Sequence, residues 1–212
     1  MSQKDKTNAF ISPKVDSTGT YTPYPGLTFV CMVANPNIFQ QFYDFMKGKE
    51  TFCKYYALLP PSSYHMTVKN YVTAKCIRQP DLTMYVIQNL HLIETMKALC
   101  EGVQGEQKVR AYDLSFRGTF LILLKPFRSR VLKRFQEDLV RLSIPRESLK
   151  FHMTFAYLYR FTLEKGDEEA LVKEQKEITE ELIRILRPEE FNLTFEKVQM
   201  CYFPDMTKFI PL

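Results

Sequence analysis

Tryptophan is absent from this 212-residue chain, glycine occurs seven times and histidine three times. Without an indole, any stacking on a ligand falls to the 12 tyrosines and 17 phenylalanines. The few glycines form no GxGxxG fingerprint and no GK[ST] loop, which argues against dinucleotide-binding and P-loop folds. Five cysteines, odd in number, widely spaced and without a CxxC pair, fit neither a zinc knuckle nor a disulfide framework. They fit a reducing compartment. No apolar run approaches the length of a membrane span. The first residues, MSQKDKTNAF, lack the apolar stretch of a signal peptide. The expected location is therefore the cytoplasm, with the nucleus as the other compartment these features allow.

Hydrophobic residues make up 45% of the chain, enough for one well-packed core. The expected organisation is a flexible arm over residues 1–20 and a single domain over 21–212, monomeric and free of any membrane. A net charge of +5 and a pI near 8.8 suit an anionic ligand without demanding a polyanion.

Periodicity predicts interleaved strands and helices. Leu27–Ala34 reads as a strand, and Pro36 opens a helix through Phe39, Phe42, Tyr43 and Met46. Thr51–Leu59 and Tyr64–Val72 read as strands, and Asp81–Cys100 as a helix. Lys108–Phe116 and Thr119–Leu124 read as strands either side of Arg117-Gly118. Helix Ser129–Leu142, strand Phe151–Tyr159 and a charged helix Gly166–Leu186 follow. Phe191–Tyr202 alternates as one long strand, with a short one at Lys208–Ile210.

Two of the three histidines stand in matched settings, Tyr64-His65-Met66-Thr67-Val68 and Phe151-His152-Met153-Thr154-Phe155. A threonine two residues after a given histidine occurs by chance about one time in twenty. Finding it twice within the same aromatic and apolar frame is much rarer. On a strand, residues i and i+2 share a face, so His65 points with Thr67 and His152 with Thr154. The same count puts Lys69 on the face of His65 and Thr67.

Two imidazoles and two hydroxyls facing one cleft form a complete set for phosphodiester chemistry. One imidazole accepts the proton of the attacking oxygen and the other protonates the leaving oxygen. The hydroxyls donate to the non-bridging oxygens. The set needs no metal and no cofactor. Lys69 and Lys150 are candidate cations, and Tyr24 and Tyr71 candidate stacking platforms for a base. Against this stand the blander readings. A lone strand histidine is usually a satisfied core residue, and His91 is read that way. A zinc site would need HxH, HExxH or a cysteine cluster, and a Cys–His nucleophile would need a local motif; the chain has none of these. A catalytically silent module that binds a nucleotide or an RNA end is the alternative to an enzyme.

With these motifs the chain resembles the 2H phosphoesterase superfamily, defined by two H-x-[T/S] motifs in internally duplicated lobes. It is most similar to a branch of that superfamily whose domain has no known function. Lys14-Val15-Asp16 with Gly19, Tyr24-Pro25-Gly26-Leu27-Thr28, Phe52 to Thr67 and Phe151 to Leu158 carry the resemblance, although Leu27 stands where Asn is expected. The resemblance implies a bilobal α+β, LigT-like fold, with two antiparallel sheets in pseudo-twofold lobes around a central cleft and helices outside. It also implies activity on 2′,3′-cyclic phosphates, 2′–5′ linkages or cyclic dinucleotides.

Overall fold

The computed structural model describes residues 14–73, 76, 79–146, 150–186 and 192–212. Nine strands among them form two antiparallel sheets, one for each histidine motif. Strands β1 (Gly26–Met32), β2 (Tyr56–Leu58), β3 (His65–Thr73), β4 (Gln107–Ser115), β5 (Thr119–Pro126), β6 (His152–Leu158), β7 (Asn192–Phe195), β8 (Gln199–Asp205) and β9 (Lys208–Pro211) are joined by six α-helices. The helices are α1 (Gln40–Lys47), α2 (Glu50–Tyr55), α3 (Gln79–Gln88), α4 (Leu90–Gly102), α5 (Ser129–Arg141) and α6 (Asp167–Leu186). One sheet runs β3-β1-β8-β9 and the other β2-β6-β5-β4-β7. The expected two-sheet α+β architecture is therefore the observed one.

Three segments depart from the periodicity. Thr51–Leu59, read as a strand, is helix α2 followed by the three residues of β2. The α6 side chain Glu174 accepts a 2.6 Å hydrogen bond from the Phe52 backbone amide, so a carboxylate 122 residues away caps the short helix. Asp81–Cys100 is two helices, broken where Asn89 donates through its side chain to the Tyr85 carbonyl. The long strand expected over Phe191–Tyr202 is two strands serving different sheets, β7 beside β4 and β8 beside β1. Phe191 itself lies outside the described residues.

Within the segment expected to be a flexible arm, residues 1–20, the described part from Lys14 onward makes contacts with the domain. Val15 is buried and bridges to Tyr21, and the Tyr21 hydroxyl donates to the Ala57 carbonyl. Residues 1–13 lie outside the described residues.

The motif frames themselves build the joint between the sheets. Tyr64, before the first histidine, meets Phe155, after the second threonine, edge to face at 5.1 Å between ring centroids. Phe39, Phe42 and Phe120 close around Phe155 at 5.8, 5.3 and 5.0 Å. Each such pair adds about 0.5–1.5 kcal/mol beyond its buried area. Met66 and Met153 are fully buried on the side opposite the histidines, as alternation requires. The lobes are thus clamped directly beneath the two HxT pairs. No helix among the described residues is long and apolar enough to cross a membrane.

Candidate active site

His65 and Thr67 on β3 line the same cavity as His152 and Thr154 on β6, a cleft of about 430 Å³. That volume falls in the range of pockets that enclose a small ligand. The four residues singled out by the repeated tripeptide therefore meet.

Both imidazoles are held in the same way. Nδ1 of His65 lies 2.7 Å from the Ser63 carbonyl, and Nδ1 of His152 lies 2.8 Å from the Lys150 carbonyl. A carbonyl only accepts, so Nδ1 carries the hydrogen in each ring. Nε2 is left as a lone-pair base when the ring is neutral and as a donor when it is protonated. The carbonyl two residues upstream thereby sets the tautomer, as second partners of working histidines commonly do.

The surroundings of His65 favour its neutral form. Burial on the cleft floor pushes its pKa down to about 4, and the neighbouring His152 and Lys14 act in the same direction against the bond to Ser63. Phe209 lies against the ring at 4.0 Å between centroids.

Both motif strands carry a bulge at the same place. In the β1–β3 pairing, Thr67 faces Val30 and Lys69 faces Phe29, so Val68 is the extra residue. In the β5–β6 pairing, Thr154 faces Leu121 and Ala156 faces Phe120, so Phe155 is the extra residue. A bulge shifts the alternation by one. Past it, Asn70 and Tyr157, each five residues after its histidine, turn into the cleft, whereas Lys69 and Ala156 turn into the core. The bulge in β3 is anchored from α5, where the Gln136 amide donates to the Val68 carbonyl at 2.7 Å.

This corrects the placement of Lys69. Its side chain is 2% exposed and its ammonium donates to the Pro145 carbonyl, away from the histidines. Lys150 is also displaced. Its carbonyl orients His152, but its side chain lines a separate groove of about 1110 Å³ with Phe151 and Leu186, because β6 begins only at His152. Tyr24 and Tyr71 do line the cleft. Tyr24 stacks on Phe203, and the Tyr71 and Tyr85 hydroxyls are 2.7 Å apart.

Lys14, Tyr157, Phe203, Met206 and Phe209 also line the cleft. Sequence reasoning missed them. The last three come from β8, β9 and the turn between them, and nothing local marks that C-terminal hairpin as part of a cleft. Among the described residues no group of three His, Cys, Asp or Glu side chains is placed to hold a metal ion.

A family described as a 2H phosphodiesterase-type domain of unknown function (DUF1868) matches residues 14–82, a span that includes the first HxT pair. No curated protein matches the chain. Among solved structures, a conserved protein of unknown function from Agrobacterium tumefaciens superposes with a TM-score of 0.66 at 18% identity, covering 94% of this chain and 89% of the other. LigT from E. coli, solved with 3′-AMP, gives 0.52 at 10% identity over 89% and 95%. A further phosphoesterase gives 0.53 at 10% identity over 90% and 96%. At these identities the structures speak for the fold alone. The shared fold and the family match over residues 14–82 make the chain similar to 2H phosphoesterase-like proteins, with their two-sheet α+β fold.

Proposed function

We propose that the protein is a metal-independent phosphodiesterase acting on a nucleotide phosphodiester by two-histidine general acid–base catalysis. The observation that carries the reading is the matched pair of imidazoles, each held through Nδ1 by a carbonyl and both lining one cleft. His65, kept neutral by burial, takes the proton of the attacking water as its oxygen bonds to phosphorus. His152 in its protonated form gives its Nε2 proton to the departing ribose oxygen as that phosphorus–oxygen bond breaks. Thr67 and Thr154 donate to the non-bridging oxygens, where charge builds in the transition state.

A 2′,3′-cyclic phosphate, a 2′–5′ linkage and a cyclic dinucleotide all offer this bond. The 3′-AMP held by LigT, a protein of the same fold, supports a nucleotide ligand. Tyr71, half-buried in the cleft wall, offers a ring to its base, with the buried, stacked Tyr24 and Phe203 in the same wall.

The test is a hydrolysis panel in EDTA over 2′,3′-cyclic nucleotides, 2′–5′ and 3′–5′ oligoadenylates and cyclic dinucleotides. Turnover that survives chelation and falls by roughly 10²–10⁴ in His65→Ala and in His152→Ala supports the mechanism. Its preferred substrate names the function. Absence of turnover, with binding retained in both variants, would leave a silent nucleotide-binding module.

A further inference from the structure

Among the described residues lining the cleft, Lys14 is the one lysine or arginine. It comes from a segment outside both sheets, and that segment is built to present it. The Asp16 carboxylate accepts hydrogen bonds from the Thr18 amide at 2.8 Å, the Thr18 hydroxyl at 2.7 Å and the Thr20 amide at 3.0 Å. Gly19, with φ of +87°, lies so close to the Tyr159 ring that a Cβ would sit 3.0 Å from it. The Thr22 amide returns to the Lys14 carbonyl at 3.1 Å, and Val15 is buried beneath. The turn is therefore fastened to the edge of the β6 sheet, and Lys14 stands at its base.

The ammonium of Lys14 donates to the Tyr157 hydroxyl at 3.1 Å and lies 4.7 Å from the Tyr157 ring centroid and 5.6 Å from that of Tyr24. The hydroxyl and the two rings hold the ammonium at the cleft wall. Tyr157 is itself turned into the cleft by the bulge at Phe155. The cation thus stands beside Tyr157 in the wall of the cleft that both histidines line.

We propose that Lys14 is a phosphate-binding residue of this cleft, presented to the two HxT pairs by the N-terminal turn. The assignment rests on reading the cleft as a phosphate site. The competing reading is a lysine that lays its aliphatic stem on tyrosine rings and contributes only packing.

Titration of the protein with inorganic phosphate, followed through the ring-proton NMR signals of its three histidines, separates the two. Lys14→Met keeps the stem and removes the charge; it is expected to weaken phosphate roughly 10-fold or more. Lys14→Arg is expected to recover most of that loss, with thermal unfolding of both variants matching the parent. The proposal is overturned if the parent binds no phosphate, if Lys14→Met binds it as the parent does, or if both variants lose affinity equally. Lys14-dependent phosphate binding without turnover of any phosphodiester would overturn the enzyme reading and leave this one standing.

Discussion

Burial on the cleft floor pushes the His65 imidazole down to about 4 from an ordinary 6.5. The unfolded chain then binds the proton more readily than the folded one between these values. The contribution of His65 to stability is thus complete above pH 6.5 and is lost as pH falls towards 4. In His65→Gln the fall in thermal midpoint across that window is expected to be shallower than in the parent; an unchanged slope would contradict the assignment. In the proposed base role, His65 is also expected to hold the acid limb of kcat/KM well below pH 6.5. Phe209→Ala uncovers the ring, so that limb is expected to move up towards 6.5, measured on the same substrate. Lys69 makes the opposite case. Buried with its ammonium on the Pro145 carbonyl, it serves the fold. Lys69→Ala is expected to cost about 2–5 kcal/mol in denaturant unfolding while turnover per folded molecule holds.

The elements legible in the sequence were those whose own residues decide them. β3 and β6 alternate, α5 buries Leu132, Phe135 and Leu139 at helical spacing, and Gly118 supplies the positive φ of 71° near the turn between β4 and β5. Elements settled by distant partners were not legible. Helix α2 follows from the carboxylate of Glu174, and its Glu174→Ala variant is expected to lose about 0.5–2 kcal/mol in chemical unfolding. The bulges at Val68 and Phe155 are likewise tertiary. Strict alternation leads from His65 to Thr67 to Lys69, and only the pairing with β1 shows that the count is broken after Thr67. The HxT pairs were legible because both lie before their bulge, and Lys69 was misplaced because it lies after one.

Across the whole molecule, the two sheets, the interleaved helices and the meeting of both HxT pairs follow the sequence reading closely. The lobes are held in register by rings from the motif frames, Tyr64 against Phe155, so the packing that joins them also sets the distance between the imidazoles. Part of the cleft wall comes from the two ends of the described chain, Lys14 with Phe203, Met206 and Phe209, which no local pattern connects. If one transition state uses both histidines, their losses do not add. The most direct test is kcat/KM for a 2′,3′-cyclic nucleotide in EDTA, for the parent, His65→Ala, His152→Ala and the double variant. The account predicts a fall of roughly 10²–10⁴ in each single variant and little further loss in the double. A single variant that retains the parent rate, or a parent silenced by EDTA, would contradict it.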